Sequence, residues 1–199
     1  MNLLTSFGTA FSTGVSINNQ RTVIHCNKDQ TREASMSKFE IVDEKHKLLL
    51  SQAHSLASTA DSVGVVSIAD LRENVDECLR YLANDLNPFC EVSHAVVYPV
   101  VGEIFGSLNS TNTMSHDIVE IRHLTAELER LHHILNKNDE VNVFEANKLR
   151  SVLFGVYAII SLHLTKEAEI YLSMLDKRLT EDEVRSLTDR ISHAFTALR

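Results

Sequence analysis

The residues best equipped for chemistry are a histidine and a glutamate one helical turn apart, His163 and Glu167. At this i, i+4 spacing both side chains share a helix face. Here that face is the centre of an apolar stripe made by Val156, Ile159, Ile160, Ile170 and Met174. A carboxylate on such a face must be desolvated, so it needs a cation or hydrogen-bond donors to meet it. A metal ion supplies that charge. The plain alternative is a neutral histidine hydrogen-bonded to the glutamate in a polar core pocket. His46 lies on the apolar stripe of an earlier segment, where a lone histidine is more often a satisfied core residue than a ligand. His116 and Glu120 repeat the i, i+4 pair. By the helical period Glu120 falls about 70° from the centre of its stripe and His116 about 110°.

These residues need long helices to bring them together, and the periodicity predicts four. The first runs from about residue 37 to 59, with Val42, His46, Leu49, Leu50, Ala53, Leu56 and Ala57 on one face, and is broken around Gly64. The second starts near Ser67, where Ser67-x-x-Asp70 resembles a capping box, and continues to about residue 105. Pro88 and Pro99 each remove a backbone donor and crowd the carbonyl four residues earlier, so the helix should kink or break at each. After a polar loop over 106–113, the third helix covers about 114–135 on a stripe of Ile118, Ile121, Leu124, Leu128 and Leu131. The fourth covers about 141–175 and is nearly continuously apolar from Val152 to Leu164, which predicts deep burial. A short fifth helix begins at Thr180, where Thr180-x-x-Glu183 forms a second capping box. Residues 1–36, rich in Ser, Thr and Asn, read as a loosely ordered arm, and 37–199 as the helical domain. Short connections make antiparallel neighbours the default, so the expected fold is all-α, an up-down-up-down four-helix bundle with a short C-terminal helix.

Composition agrees with one globular domain. The chain has 199 residues, and its 6 Gly and 2 Pro leave little turn chemistry for a many-stranded fold. Net charge is −8, and no Lys/Arg cluster could track a phosphate backbone, so nucleic acid and anionic membranes are poor partners. Three cysteines, Cys26, Cys78 and Cys90, form no C-x-x-C pair, which argues against a disulfide framework or a structural zinc site and suits a reduced cytoplasm. No unbroken apolar run reaches the roughly 18 residues of a membrane span. His54, His123, His132, His133 and His193 fall off the stripes and read as solvated, with His123 and Glu127 a surface pair.

The chemistry-bearing stretches together resemble the hemerythrin-like, or HHE cation-binding, domain family over residues 38–178. They are Asp43-Glu-Lys-His46-Lys-Leu-Leu, Met114-Ser-His116-Asp-Ile-Val-Glu120 and His163-Leu-Thr-Lys-Glu167-Ala-Glu-Ile. Leu82, Leu86, Pro88 and Val97-Tyr98-Pro99 match the frame of the family's second helix. That helix carries H-x-x-x-E in the family, whereas here the two positions hold Phe89 and Ser93, neither a plausible ligand. Cys90 and His94 come one residue later, and a rotation at Pro88 could turn them inward. The resemblance implies non-haem iron in a bundle core, open to O2 or NO or responsive to iron. In this chain it leaves His46, His116, His163 and Glu167, with Glu120 and His94 as further candidates. Such a set is enough for one ion and thin for two. The leading reading is therefore a metal-binding protein with an altered site. The runner-up is a metal-free bundle serving as an interaction or regulatory module. A diiron oxidase or peroxide-consuming enzyme needs a complete two-metal set with open positions, and ranks third. The acidic balance carries a direct expectation: binding to a generic DNA duplex at moderate salt should be undetectable in a gel-shift titration, and tight, salt-sensitive binding would contradict it.

Overall fold

The computed structural model describes residues 38–198, apart from the side chain of Leu108; the expected arm over 1–36 lies outside the described residues. All regular structure among them is helical, with no strand. Five continuous helical rods result. The first is Glu40–Ser62. The second spans 68–105 without leaving helical conformation. The third is Asn112–Lys137, preceded by a single 3-10 turn, Leu108–Thr111. The fourth is Val143–Arg178, and the fifth Glu181–Ala197.

The prolines bend the second rod by a specific device. Each is preceded by a π-helical turn, Leu82–Leu86 before Pro88 and Ser93–Val97 before Pro99. The Asn87 N–H reaches back to the Leu82 carbonyl, and the Tyr98 N–H to the Ser93 carbonyl. Widening the turn to i, i+5 carries the backbone past the carbonyls that a proline ring would otherwise strike, and keeps the helix continuous at both prolines. Each widened turn also shifts the helical phase of the residues after it, so Phe89 and Cys90 are both buried although they are adjacent. A third π turn, Glu167–Leu172, interrupts the fourth helix with no proline near it.

The helix ends are closed as the capping signals require. The Ser67 hydroxyl accepts from the Asp70 N–H, and Thr180 and Glu183 form a reciprocal box. Asn142 and Glu145 form another at the start of the fourth helix. Gly106, at φ +66°, ends the second rod in the left-handed region with bonds from Gly106 N to Glu103 O and from Ser107 N to Gly102 O. Three cations close the C-termini of neighbouring helices. Arg150 reaches the Ala60 and Val63 carbonyls, Arg72 those of Leu135 and Asn138, and Lys38 those of Asp176 and Leu179. Each places positive charge where unpaired carbonyls and the dipole are negative. Because each cation sits near one helix's start and another's end, the first and fourth helices run antiparallel, as do the second and third.

The core between these rods contains Leu49, Leu56, Leu82, Leu86, Ile121, Leu128, Leu153 and Ile160, all essentially inaccessible to water. By length and composition the fourth helix is apolar enough to cross a membrane. Its Leu149, Val152, Leu153, Val156 and Ile160 are buried in the core, while Leu162 and Ile170 are more than half exposed. The fifth helix lies on the middle of the second rod, burying Val184, Leu187 and Ile191. Truncating a core position should leave a cavity: Leu56→Ala should lower the unfolding free energy by about 2–5 kcal/mol in urea titration. Phe144→Ala, at a residue 79% exposed, should change it by less than about 0.5 kcal/mol. Equal effects at the two sites would contradict this assignment of the core.

Candidate metal centre

Glu167 has no exposed surface, and its two carboxylate oxygens are met by four other buried side chains from three helices. Ser93 Oγ donates to Oε1 at 2.6 Å and Tyr98 OH to Oε2 at 3.4 Å. His46 Nε2 stands 3.8 Å from Oε1, and His163 Nε2 stands 3.7 Å from Oε2. The second-helix residues and Glu167 owe their positions to the widened turns. Ser93 and Glu167 are the first residues of the π turns at Ser93–Val97 and Glu167–Leu172. Tyr98 comes directly after the first of these.

His46 is oriented from behind by a hydrogen bond, and His163 has a carboxylate behind it without one. His46 Nδ1 lies 2.8 Å from the Val42 carbonyl, which can only accept, so Nδ1 carries the proton. His163 Nδ1 faces the Asp117 carboxylate at 3.5 Å, and Lys166 Nζ pairs with that same carboxylate. Each ring thus turns its Nε2 toward Glu167, and Nε2 of His46 makes no hydrogen bond. Cys90 Sγ completes the surroundings at 3.9 Å from His163 Nε2, and Tyr98 OH lies 3.3 Å from the same nitrogen. The single Tyr98 proton cannot serve Glu167 and His163 together. The pocket therefore holds more acceptors than protons, around a carboxylate that water does not reach.

This imbalance shifts the histidines apart. Burial pulls His46 down, but the Glu167 carboxylate, the Val42 carbonyl and Asp43 together outweigh it and leave His46 above its ordinary value of 6.5. Burial also pulls His163 down, and there Glu167 and Asp117 do not compensate, so it stays below 6.5. Burial, helped by the charge of Glu167, pushes the Cys90 thiol up to about 12 and raises the Tyr98 phenol strongly.

Of the residues singled out by sequence, His46, His163 and Glu167 come together. His94, His116 and Glu120 do not. His94 is exposed beside the Tyr98 ring, His116 is exposed, and Glu120 pairs at 3.6 Å with His123 on the surface. The physical reason is helical phase. His116 and Glu120 lie on the flank of the third helix that faces water, and the rotation at Pro88 brings Cys90 inward without carrying His94 along. Asp117, not His116, faces the site from the third helix. Its spacing from Ile121 and Leu124 (i+4 and i+7) was the signal for it. Tyr98 and Ser93 join the site as hydroxyl donors, a role the spacing of metal ligands does not reveal. His132 is also less solvated than its phase suggested, pairing with Asp76 at 3.2 Å.

A two-ion centre does not fit this donor set, since only three of the six candidate ligands converge. No group of three or more His, Cys, Asp and Glu side chains among the described residues is assembled as a ready metal site. A single ion is a different matter. His46 Nε2 is buried without a hydrogen bond, and the surroundings of Glu167 are rich in acceptors, so the pocket lacks a positive charge that a proton or a cation could supply. A groove of roughly 600 Å³ between the first, second and fifth helices approaches the site. Phe89 lines this groove and packs edge-on against the His46 ring at 4.8 Å.

The two histidine shifts set opposite pH slopes for the metal-free protein. A raised His46 stabilises below 6.5 and loses its contribution as pH climbs through its folded value. A depressed His163 costs stability as pH falls below 6.5 toward its folded value. Urea midpoints of chelator-treated protein between about pH 5 and about pH 9 should therefore peak near 6.5, and His46→Gln should flatten the alkaline limb. Stability rising steadily above 6.5 would contradict the pairing of His46 with Glu167.

In comparison with known proteins, the chain matches no family model, no curated protein and no solved structure.

Proposed function

We propose that this chain is a hemerythrin-like protein. Its four long helices form an up-down-up-down bundle, and its core binds one divalent transition ion, iron in the resembled family, through His46, His163 and Glu167. The observation that carries this reading is the fully buried Glu167 carboxylate facing two imidazole Nε2 atoms. The Val42 carbonyl braces His46 through Nδ1, in the manner that orients metal-binding histidines, and His163 Nδ1 faces the Asp117 carboxylate at 3.5 Å. A bound ion would supply the positive charge the pocket lacks and, at any open position, a place for O2 or NO. The residues themselves do the rest. Val42 holds the His46 ring, Asp117 faces His163, Tyr98 offers a proton near Glu167 Oε2, and Phe89 shields His46 from the groove. The reduced, buried thiols suit a cytoplasmic setting.

One observation favours a second reading. The 2.6 Å bond from Ser93 to Glu167 and a proton on His46 can neutralise the carboxylate with no metal. The protein would then be a metal-free bundle acting as an interaction or regulatory module, and the buried pair would be a remnant. Anaerobic iron(II) titration separates the two. The wild type should bind one ion per chain, and Glu167→Ala should weaken binding by at least about tenfold. Restoring the family pattern with Phe89→His and Ser93→Glu should add capacity for a second ion. Absence of iron(II) binding by a folded wild type would favour the metal-free reading.

A further inference from the structure

The first and fourth helices pack side by side, and the Tyr157 hydroxyl lies 3.2 Å from His54 Nδ1 across their contact. No Asp, Glu, Lys or Arg occurs between Lys47 and Asp61 on the first helix, nor between Arg150 and Lys166 on the fourth. Charged residues make up 23% of the chain, so two adjacent stretches of this length without one are a clear departure. The second and third helices instead carry charged pairs on their surfaces, Arg80 with Glu77, Arg122 with Glu91 and Arg130 with Glu127. The fourth helix is also apolar beyond what the core uses, since Leu162 is 57% exposed and Phe154 38%.

The outer line of the fourth helix is symmetric about Ala158. At 100° per residue, the positions four, seven and eleven residues to either side lie within about 40° of it. They are Phe154 and Leu162, Ser151 and Thr165, and Asn147 and Glu169. Thr165 is half-buried and the others, with Ala158, are exposed. Each pair is complementary: two apolar side chains, two hydroxyls, an amide and a carboxylate. The Asn147 carbonyl oxygen already accepts from Arg150, which leaves its amide N–H groups to donate. A two-fold axis through Ala158 carries each position onto its opposite number, as an isologous contact requires. Charge points to the same occupant. Each copy has a net charge of −8, and two copies repel least where neither face carries charge. At 1.5 Å per residue the line from Asn147 to Glu169 is about 33 Å long. With the adjoining rows of its neighbours it is about 20 Å wide, or roughly 650 Å² per copy. A standard stable interface takes about 800 Å² per partner.

We propose that the outer face of the fourth helix is a homodimer interface, at which a second copy of this chain docks antiparallel about a two-fold axis at Ala158. Phe154 of each copy then lies over Leu162 of the other, and Asn147 of each donates to Glu169 of the other. The small side chain of Ala158 lets the two helices come close at the axis. The modest footprint sets a dimer in exchange with monomer, with a Kd of about 1–100 μM. This inference does not depend on whether Glu167 meets a metal.

Sedimentation velocity of the reduced, full-length chain should show monomer giving way to dimer between about 1 and about 300 μM. Phe154→Lys and Leu162→Glu should each weaken the dimer by at least about tenfold, because each sets an unpaired charge against an apolar side chain. The double variant should recover dimerisation, since Lys at 154 of one copy then meets Glu at 162 of the other. Leu48→Glu, in the groove between the first, second and fifth helices, should leave the dimer intact. Singles that weaken the dimer without recovery in the double variant would overturn the antiparallel register. Loss of the dimer in Leu48→Glu, with both fourth-helix singles unaffected, would overturn the interface. A folded wild type that stays monomeric throughout would overturn the proposal outright, and flotation of that monomer with phosphatidylcholine vesicles would assign the face to a lipid surface instead. The wild-type measurement alone can refute the proposal, so it stays testable even if a variant folds poorly.

Discussion

A carboxylate removed from water and surrounded by more acceptors than protons cannot rest as an isolated charge. Glu167 is in that position. Ser93 gives it one strong hydrogen bond, Tyr98 gives it a share of one proton, and the two nearest nitrogens present lone pairs unless something positive stands between. Either a proton shared within the cluster or a cation held among the side chains must neutralise the charge. The bracing of His46, the placement of Asp117 and Lys166 behind His163 and the dryness of the pocket all bear on that one requirement. Asp117 is itself balanced by Lys166, so it stands behind His163 without adding a second uncompensated charge to the core.

The geometry that creates this pocket comes from the second rod. Two prolines would ordinarily end a helix or bend it away from its neighbours. Here each is absorbed by a widened turn, and the segment between them is turned so that Phe89, Cys90 and Ser93 all face inward. The third widened turn, at Glu167, faces Ser93 across the core. Widened turns on both facing helices let two polar side chains approach within hydrogen-bonding distance in a region otherwise filled by Leu, Val and Ile. Phe89, where the resembled family carries a histidine, closes the site toward the groove between the first, second and fifth helices.

Much of this architecture is readable from periodicity and caps. The helices over Glu40–Ser62, Asn112–Lys137 and Val143–Arg178 follow apolar stripes visible in the chain, the Ser67 side chain caps the second rod, and the reciprocal box at Thr180 forms as its spacing suggests. His163 and Glu167 are legible because a charged pair in the middle of an apolar run has few harmless explanations. The illegible part depends on helical phase after a non-standard turn. A uniform 100° per residue cannot register the residue that each π turn inserts. By that period Cys90 and His94 look like a pair, and only one of them is inside. Asp117 is overshadowed by its neighbour His116, although its spacing to Ile121 and Leu124 puts it on the inner face. The prolines advertise a kink but not its form, because whether a helix breaks or widens depends on what packs around it.

The claim at the centre of this account is that the charge missing from the Glu167 pocket is supplied by one metal ion. The most direct test is elemental analysis by mass spectrometry of the protein purified without added metal or chelator, with protein concentration fixed by amino-acid analysis. The account requires one transition-metal ion per folded chain. Two ions per chain would mean that ligands outside the Glu167 pocket complete a second site. A value near zero in folded, never-chelated protein would mean that a proton on His46 does the work assigned to the metal.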